Sequence, residues 1–430
     1  MKGLILTRSS LVSFASDIQL SLLDVLFLCI VVNLFPYILL SIFDVSSFVY
    51  SCSILGSYLV ELFLIISSIK KENVRITSNE KKILLVVFLV QVFAQVFNLI
   101  QFHHILVNDI LNIFVVTLNI VLFLFVITKI DCSKDDFVLF MKRLVLLGLF
   151  TCAYNIVNID QIFSLFTIDN AYSVSISSIF PNRNMYGQFL LFCTFANMFL
   201  LNNVAPQNKK RLLIVQIVFV INIVLTLSRN ALMGLVVFYI SVLILNRSKI
   251  IKKLGKEKLV YLAKFTVVSA IVAVVFLPLL FPSLINSFSN LFLRFETIDL
   301  NSGRLYVWIS GLTLALKSPL LGFGRFQGVN LFQTMFDSSL NQFHNIWIET
   351  LVEFGLVGVF LLILVLYFIL KNLFHLDNSD RNVFLAGIFT FLFTSFFESL
   401  CRFSLGYVDF ISLLMIFALP ILFIKMSVAK

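Results

Sequence analysis

The chain has 430 residues, 60% of them hydrophobic, 15% aromatic and only 13% charged, with a formal net charge of +10 and a mean hydropathy of +1.04. A soluble domain carries about 45–50% apolar and about 25% charged residues, and no water-soluble fold of this length hides so much apolar side chain. A soluble enzyme, a nucleic-acid-binding domain, a disordered chain and a disulfide scaffold are excluded, which leaves a polytopic membrane protein. Fifty Phe and seven Pro suit helices in lipid. The apolar runs are unbroken for about twenty residues, whereas a transmembrane β-barrel alternates apolar and polar residues over about ten.

The opening, MKGLILTRSSLVSFASDIQL, is too polar for a signal-peptide core, so the first span is expected to be retained. Spans follow at about 21–43, 47–69, 83–104, 110–129, 137–157, 185–203, 212–228, 231–246, 259–281, 353–370, 383–401 and 407–425. The expected architecture is therefore all-α with about twelve transmembrane helices in a single integral membrane domain over 1–430. Placing both termini in the cytoplasm puts 25 of the 32 Lys and Arg on the cytoplasmic side, and the opposite orientation inverts that ratio. The basic residues sit in short loops between the spans, which argues for topology rather than nucleic-acid binding. Six cysteines (Cys29, Cys52, Cys132, Cys152, Cys193 and Cys401) lie apart with no Cys-x-x-Cys pair, against a disulfide framework or zinc site.

The seven basic residues on the outer side are Arg183, Arg229, Arg294, Arg304, Lys317, Arg325 and Arg402. Six are Arg, the residue whose planar fork matches phosphate and carboxylate. Arg stems also snorkel and cap helix ends, so each has a structural reading beside the functional one. Arg229 lies nearly alone between two apolar spans, where it needs a partner or a wet cavity. It either pairs with an acid such as Glu398 or Glu353, or clamps an anionic group of a lipid-linked ligand.

Two outer loops are long, 158–184 and 282–352, and a long loop in a compact helical protein commonly carries function. The larger is read as a structured extracytoplasmic cap. It contains RLYVWISGLTLALKS (304–318), then PLLGFGRF, then FHNIWIETLVEFG. Tyr306, Trp308 and Trp347 fit an interfacial helix at headgroup level. His344 stands in Gln342-Phe343-His344-Asn345, just before a span, and imidazole is the natural proton acceptor near neutrality. The other histidines, His103, His104 and His375, read as solvated or interfacial. Asp135-Asp136 reads as a solvated loop, and GFG (322–324) lacks the βαβ surroundings of a dinucleotide site. Asp24 and Glu61 read as capping or pairing groups near span ends, with a transporter's proton relay as the alternative.

The ordered set P-N-x-N (181–184), S-R-N (228–230), S-G-R-x-x-x-W (302–308), K-S-P-L-x-G-x-G (317–324) and F-H-N-x-x-x-E-x-x-x-E-x-G-L-x-G (343–358) resembles the O-antigen ligase and polymerase superfamily. The likeness covers residues 180–370; Asn230 departs from it, a small residue being commoner there. The resemblance implies a helical membrane fold of the GT-C kind and a metal-independent, inverting glycosyltransferase with no cofactor, in the bacterial plasma (inner) membrane. The implied donor is a glycan on undecaprenyl pyrophosphate at the outer face; the acceptor is a second glycan or lipid A-core. A chain-length regulator is a further candidate partner. Carried over onto this sequence, the catalytic positions are His344, Arg304 and Arg229. Arg183, Asn345, Arg325, Arg402, Glu353 and Glu398 are expected to bind substrate, and Glu349, Glu353 or Glu398 to orient the base or pair with the arginines. A polymerase is favoured over a ligase, and a flippase of the same lipid-linked glycan remains as a reading of another class.

Overall fold

The structure, a computed structural model, describes residues 21–43, 46–71, 132–157, 159–167, 176–247, 303–324, 327–336, 342–376, 379–398 and 414–428, with single positions between 78 and 96. Among the described residues there is no strand. In chain order the helices are α1 (Leu22–Phe43), α2 (Ser47–Lys71), α3 (Lys134–Val157), α4 (Ile159–Thr167), α5 (Arg183–Asn203) and α6 (Pro206–Leu225). They continue with α7 (Arg229–Leu245), α8 (Gly303–Ala315), α9 (Gln327–Phe336), α10 (Ile346–His375), α11 (Ser379–Thr394) and, after a π-helical turn at Leu414–Ala418, α12 (Leu419–Val428). By length and composition four are apolar enough to cross a membrane: Leu23–Phe43, Lys134–Val157, Arg183–Asn203 and Ile346–His375. The spans expected at 110–129 and 259–281 lie outside the described residues, as does nearly all of 83–104.

α5 is the hub of the bundle, and its Phe189, Phe192, Phe195 and Phe199 are buried completely. It meets α7, and α7 meets α11, through small residues. A Cβ on Gly187 would stand 2.5 Å from the Ala231 Cβ, and one on Gly234 would stand 2.8 Å from Leu191 and from Thr394. Close backbone approach at small residues substitutes for a hydrophobic driving force between helices in lipid. One set of buried polar groups is satisfied across helices: Asn155 donates to the Tyr186 hydroxyl (3.0 Å) and to Asn222 Oδ1 (2.9 Å). The Tyr186 hydroxyl in turn donates to Asn222 Oδ1 at 3.1 Å.

A second, smaller core lies beside the bundle. Val307, Leu314, Phe323, Leu331, Phe332, Phe343, Ile348 and Val352 join α8, α9 and the start of α10. This is the part of the long loop expected to form a structured cap. It is joined to the bundle through a break in α10 at Gly355 (φ +63°, ψ −163°). The segment 318–324 enters that break: the Phe323 and Gly324 amides donate to the Val352 and Glu353 carbonyls at 2.9 and 2.8 Å, closing the first half-helix. The Leu356 and Val357 amides donate to the Pro319 and Leu320 carbonyls at 2.8 and 3.2 Å, opening the second half. The loop thus satisfies the orphan groups that any helix end exposes. The glycines of K-S-P-L-x-G-x-G and E-x-G allow it: a Cβ on Gly322 would lie 2.4 Å from the Glu353 carbonyl carbon, and one on Gly355 2.2 Å from the Leu320 oxygen.

Several sequence expectations change here. Trp308 is tied into the fold: its indole donates to the Phe343 carbonyl at 3.1 Å and its ring packs on Phe397. Trp347 packs on Phe396. Glu61 is not near a span end but in the middle of α2, fully buried and accepting from Asn33 Nδ2 at 3.0 Å. Asp24 does sit in the first turn of α1, bonded to Ser21 and paired with Arg143. Asp136 belongs to the first turn of α3 rather than to a loop, and caps it with Ser133 (Oγ to Oδ2, 2.6 Å). The five described cysteines, all but Cys401, are free thiols.

Candidate functional site

The site grows from helix beginnings. Three helices start on side-chain caps: Asn182 accepts from the Met185 amide, Ser228 from the Ala231 amide, and Asn345 from the Trp347 and Ile348 amides. These are the Asn and Ser of the P-N-x-N, S-R-N and H-N motifs, residue types that favour this position because a short oxygen-bearing side chain replaces the missing helical acceptor. A fourth helix, α8, carries Arg304 in its first turn. The four starts meet at Glu398, four residues beyond α11.

Glu398 is 8% exposed, and its two oxygens are divided. Oε1 accepts from Arg304 (3.2 Å) and from Asn184 Nδ2 (3.0 Å). Oε2 lies 3.1 Å from His344 Nδ1. Asn184 is itself fixed, its Oδ1 accepting from the Ser228 hydroxyl at 2.7 Å. One carboxylate therefore ties α5, α8 and His344, two residues before α10, together, and through Asn184 it reaches the start of α7. The Gln342 amide lies 3.1 Å from His344 Nδ1. A carboxylate can only accept, so the tautomer that satisfies Glu398 carries the proton on Nδ1 and leaves Nε2 its lone pair, with the Gln342 amide, whose two ends are interchangeable in shape, turning its oxygen to Nδ1.

Strained backbone accompanies these groups. His344 (φ +51°) and Leu227 (φ +50°), the residue before Ser228, are non-glycine residues in the left-handed region. Such conformations persist where the surroundings over-determine them, and they cluster at functional sites. Here Phe343 is buried in the cap core, Asn345 is committed to capping, and the Ile346 amide donates to the Ser395 carbonyl at 3.0 Å. His344 has little freedom left.

The arginines follow the same logic. Arg183 and Arg229 are the first residues of α5 and α7, both half-buried, so each cation adds to the partial positive charge of a helix N-terminus. Arg183, Arg229 and Arg304 each stand in the first turn of a helix, where a guanidinium and a helix N-terminus together are of the kind that binds phosphate. The opposite end of the bundle gathers Lys134, Lys142, Lys209, Lys210, Lys371 and Lys425.

Of the residues singled out there, the structure brings His344, Arg304 and Glu398 into direct contact and sets Arg183, Arg229 and Asn345 at the helix starts around them. Glu349 and Glu353 are each 1% exposed on the first half of α10. Arg325 and Arg402 lie outside the described residues. Sequence reasoning missed Asn184 and Ser228, overshadowed by the arginines beside them. The usable signal was that P-N-x-N and H-N each hold a second polar residue at a helix start, where one caps and the other reaches Glu398, while in S-R-N the capping Ser228 itself reaches across to Asn184.

Residues 213–363 match the family described as O-antigen ligase. The chain is also similar to the exopolysaccharide production protein ExoQ of Rhizobium meliloti (strain 1021), with 34% identity over 110 residues. That match covers 22% of this chain and 25% of ExoQ, so the chain spans about a quarter of the length of the curated relative it matches.

Proposed function

The chain is related to the O-antigen ligase and polymerase superfamily through residues 213–363, and on that premise we propose that it is a membrane glycosyltransferase that polymerises lipid-linked oligosaccharide repeat units. The donor is a glycan on undecaprenyl pyrophosphate, presented at the outer face of the plasma membrane. The observation that carries this reading is the shared carboxylate of Glu398, which holds a base and a cation 3.1 and 3.2 Å from its two oxygens.

His344 Nε2 takes the proton of the acceptor hydroxyl, and the oxygen attacks the anomeric carbon on the face opposite the pyrophosphate. The sugar–phosphate bond breaks with inversion, its electron pair leaving on the phosphate oxygen. Arg304, Arg229 and Arg183, with the helix N-termini they stand on, meet the charge that develops there. Preplaced donors of this kind stabilise a transition state without reorganising. Glu398 holds the His344 tautomer and stabilises the imidazolium, while Asn184 and Ser228 hold Glu398.

A ligase that moves a finished glycan to lipid A-core is the second reading, favoured by the description of the matching family. The printed name of ExoQ, exopolysaccharide production, favours the polymerase. The test is transfer by the purified protein, supplied with repeat unit on its lipid carrier, beside His344→Ala and Arg304→Ala. A ladder of longer glycans that is lost in both folded variants supports the proposal. A ladder that survives in both removes these residues from the chemistry.

A further inference from the structure

α8 and the turn after it present an apolar face that no described residue covers. Ile309, Leu312 and Leu316 recur at helical spacing and are exposed, followed by Leu320 and Leu321; Leu316, Leu320 and Leu321 are 78%, 64% and 73% exposed. A contiguous exposed apolar surface marks a contact with a membrane or a partner. The geometry of the α10 break identifies which.

Residues 356–375 form the second half of α10, about 30 Å at 1.5 Å per residue, which is the thickness of a bilayer's hydrocarbon core. Its outward residues Leu356, Val357, Phe360 and Leu361 are exposed and apolar. A bilayer matched to this half of the helix would have its outer hydrocarbon edge at Leu356. The turn carrying Leu320 and Leu321 is bonded to that edge, through the Leu356 amide to the Pro319 carbonyl (2.8 Å) and the Val357 amide to the Leu320 carbonyl (3.2 Å). The exposed leucines of the turn thus continue the apolar surface of α10 without interruption. Lys317, exposed beside them, is of the type that keeps its ammonium at the headgroups while its stem lies along apolar surface.

We propose that the outer face of α8 and of the 316–321 turn is immersed in the acyl chains of the leaflet bordering the Glu398 end of the bundle, so that α8 lies along the membrane boundary. The occupant is bilayer lipid, not a second copy of the chain. Arg304, at the other end of α8, is thereby held at the level of the headgroups, the depth at which a lipid's phosphate sits. This stands independently of the proposed glycosyl transfer, since it concerns which surface touches lipid.

The test uses the full chain in nanodiscs of phosphatidylethanolamine and phosphatidylglycerol, with p-benzoylphenylalanine placed singly at Leu316 or Leu320. Ile217, exposed on α6, is the lipid-facing reference, and Asn208, exposed in the first turn of α6, the polar one. After irradiation, mass spectrometry identifies the adduct. Phospholipid adducts at 316 and 320 in the yield found at 217 are expected. Cross-linked dimers, cross-links to the chain's own 248–302 segment, or the low adduct yield of position 208 would each overturn the proposal. Glycosyl transfer is not read in this experiment, so its outcome and that of the catalytic reading are separable.

Discussion

Glu398→Gln is the most informative substitution in the proposed site, because it keeps the shape and removes one property. In the native site Oε1 faces two donors, Arg304 and Asn184, and Oε2 faces His344. A glutamine must turn its single amide oxygen to the two donors, which directs its NH2 at His344 Nδ1. Nδ1 then has to accept, the imidazole proton moves to Nε2, and the lone pair that would receive the acceptor's proton is gone. A positioned general base is worth about 10²–10⁴ in rate, so the barrier rises by about 2.7–5.4 kcal/mol at 1.36 kcal/mol per tenfold. Stability should change far less: Arg304 is 37% exposed in the pair, and ion pairs so close to solvent contribute about 0–1 kcal/mol. The assay is the initial rate of glycan extension by purified protein, with thermal unfolding measured on the same preparation. A folded Glu398→Gln protein that extends glycans at the native rate would refute the tautomer argument.

Asn184→Ala removes one donor from Glu398 and the acceptor of the Ser228 hydroxyl; with a hydrogen bond worth about 1 kcal/mol, the extension rate should fall roughly five- to tenfold while unfolding shifts little. Arg304→Lys keeps the charge but not the fork, and is expected to restore only part of the activity lost in Arg304→Ala when the two are compared in the same extension assay. Gly355→Ala places a Cβ 2.2 Å from the Leu320 oxygen at φ +63°; the strain of about 1–3 kcal/mol together with that overlap should lower the unfolding midpoint visibly. Asn345→Ala deletes the α10 cap, and a loss of about 1 kcal/mol should appear in the same melting experiment.

Hydropathy made the helices legible where they are apolar and misplaced their starts where they are polar. α3 and α5 begin within three residues of the expected spans. α6 begins at Pro206, six residues early, because Gln207, Asn208, Lys209, Lys210 and Arg211 extend the helix into polar surroundings that no apolar window counts. α10 begins at Ile346 rather than 353, since Glu349 and Glu353 interrupt the hydropathy although both are buried in the fold. The types of the site residues were readable, as arginines and one histidine among lysines. Their pairing was readable only as a choice among Glu349, Glu353 and Glu398: Glu398 and His344 are 54 residues apart, and the packing of α5, α7 and α11 is what brings that carboxylate to the imidazole. The role of Gly322 and Gly355 was hidden for the same reason. Each opens space for a backbone that lies distant in sequence, and spacing alone carries no sign of it.

The central claim is that this chain joins lipid-linked repeat units to one another. The most direct measurement supplies purified protein with repeat unit on undecaprenyl pyrophosphate as the sole substrate, then repeats the reaction with lipid A-core added. The account predicts a ladder of longer lipid-linked glycans in the first reaction. Transfer only in the second would contradict polymerisation and establish a ligase; no transfer in either, beside an active control enzyme, would contradict glycosyl transfer itself and leave a carrier of the lipid-linked glycan.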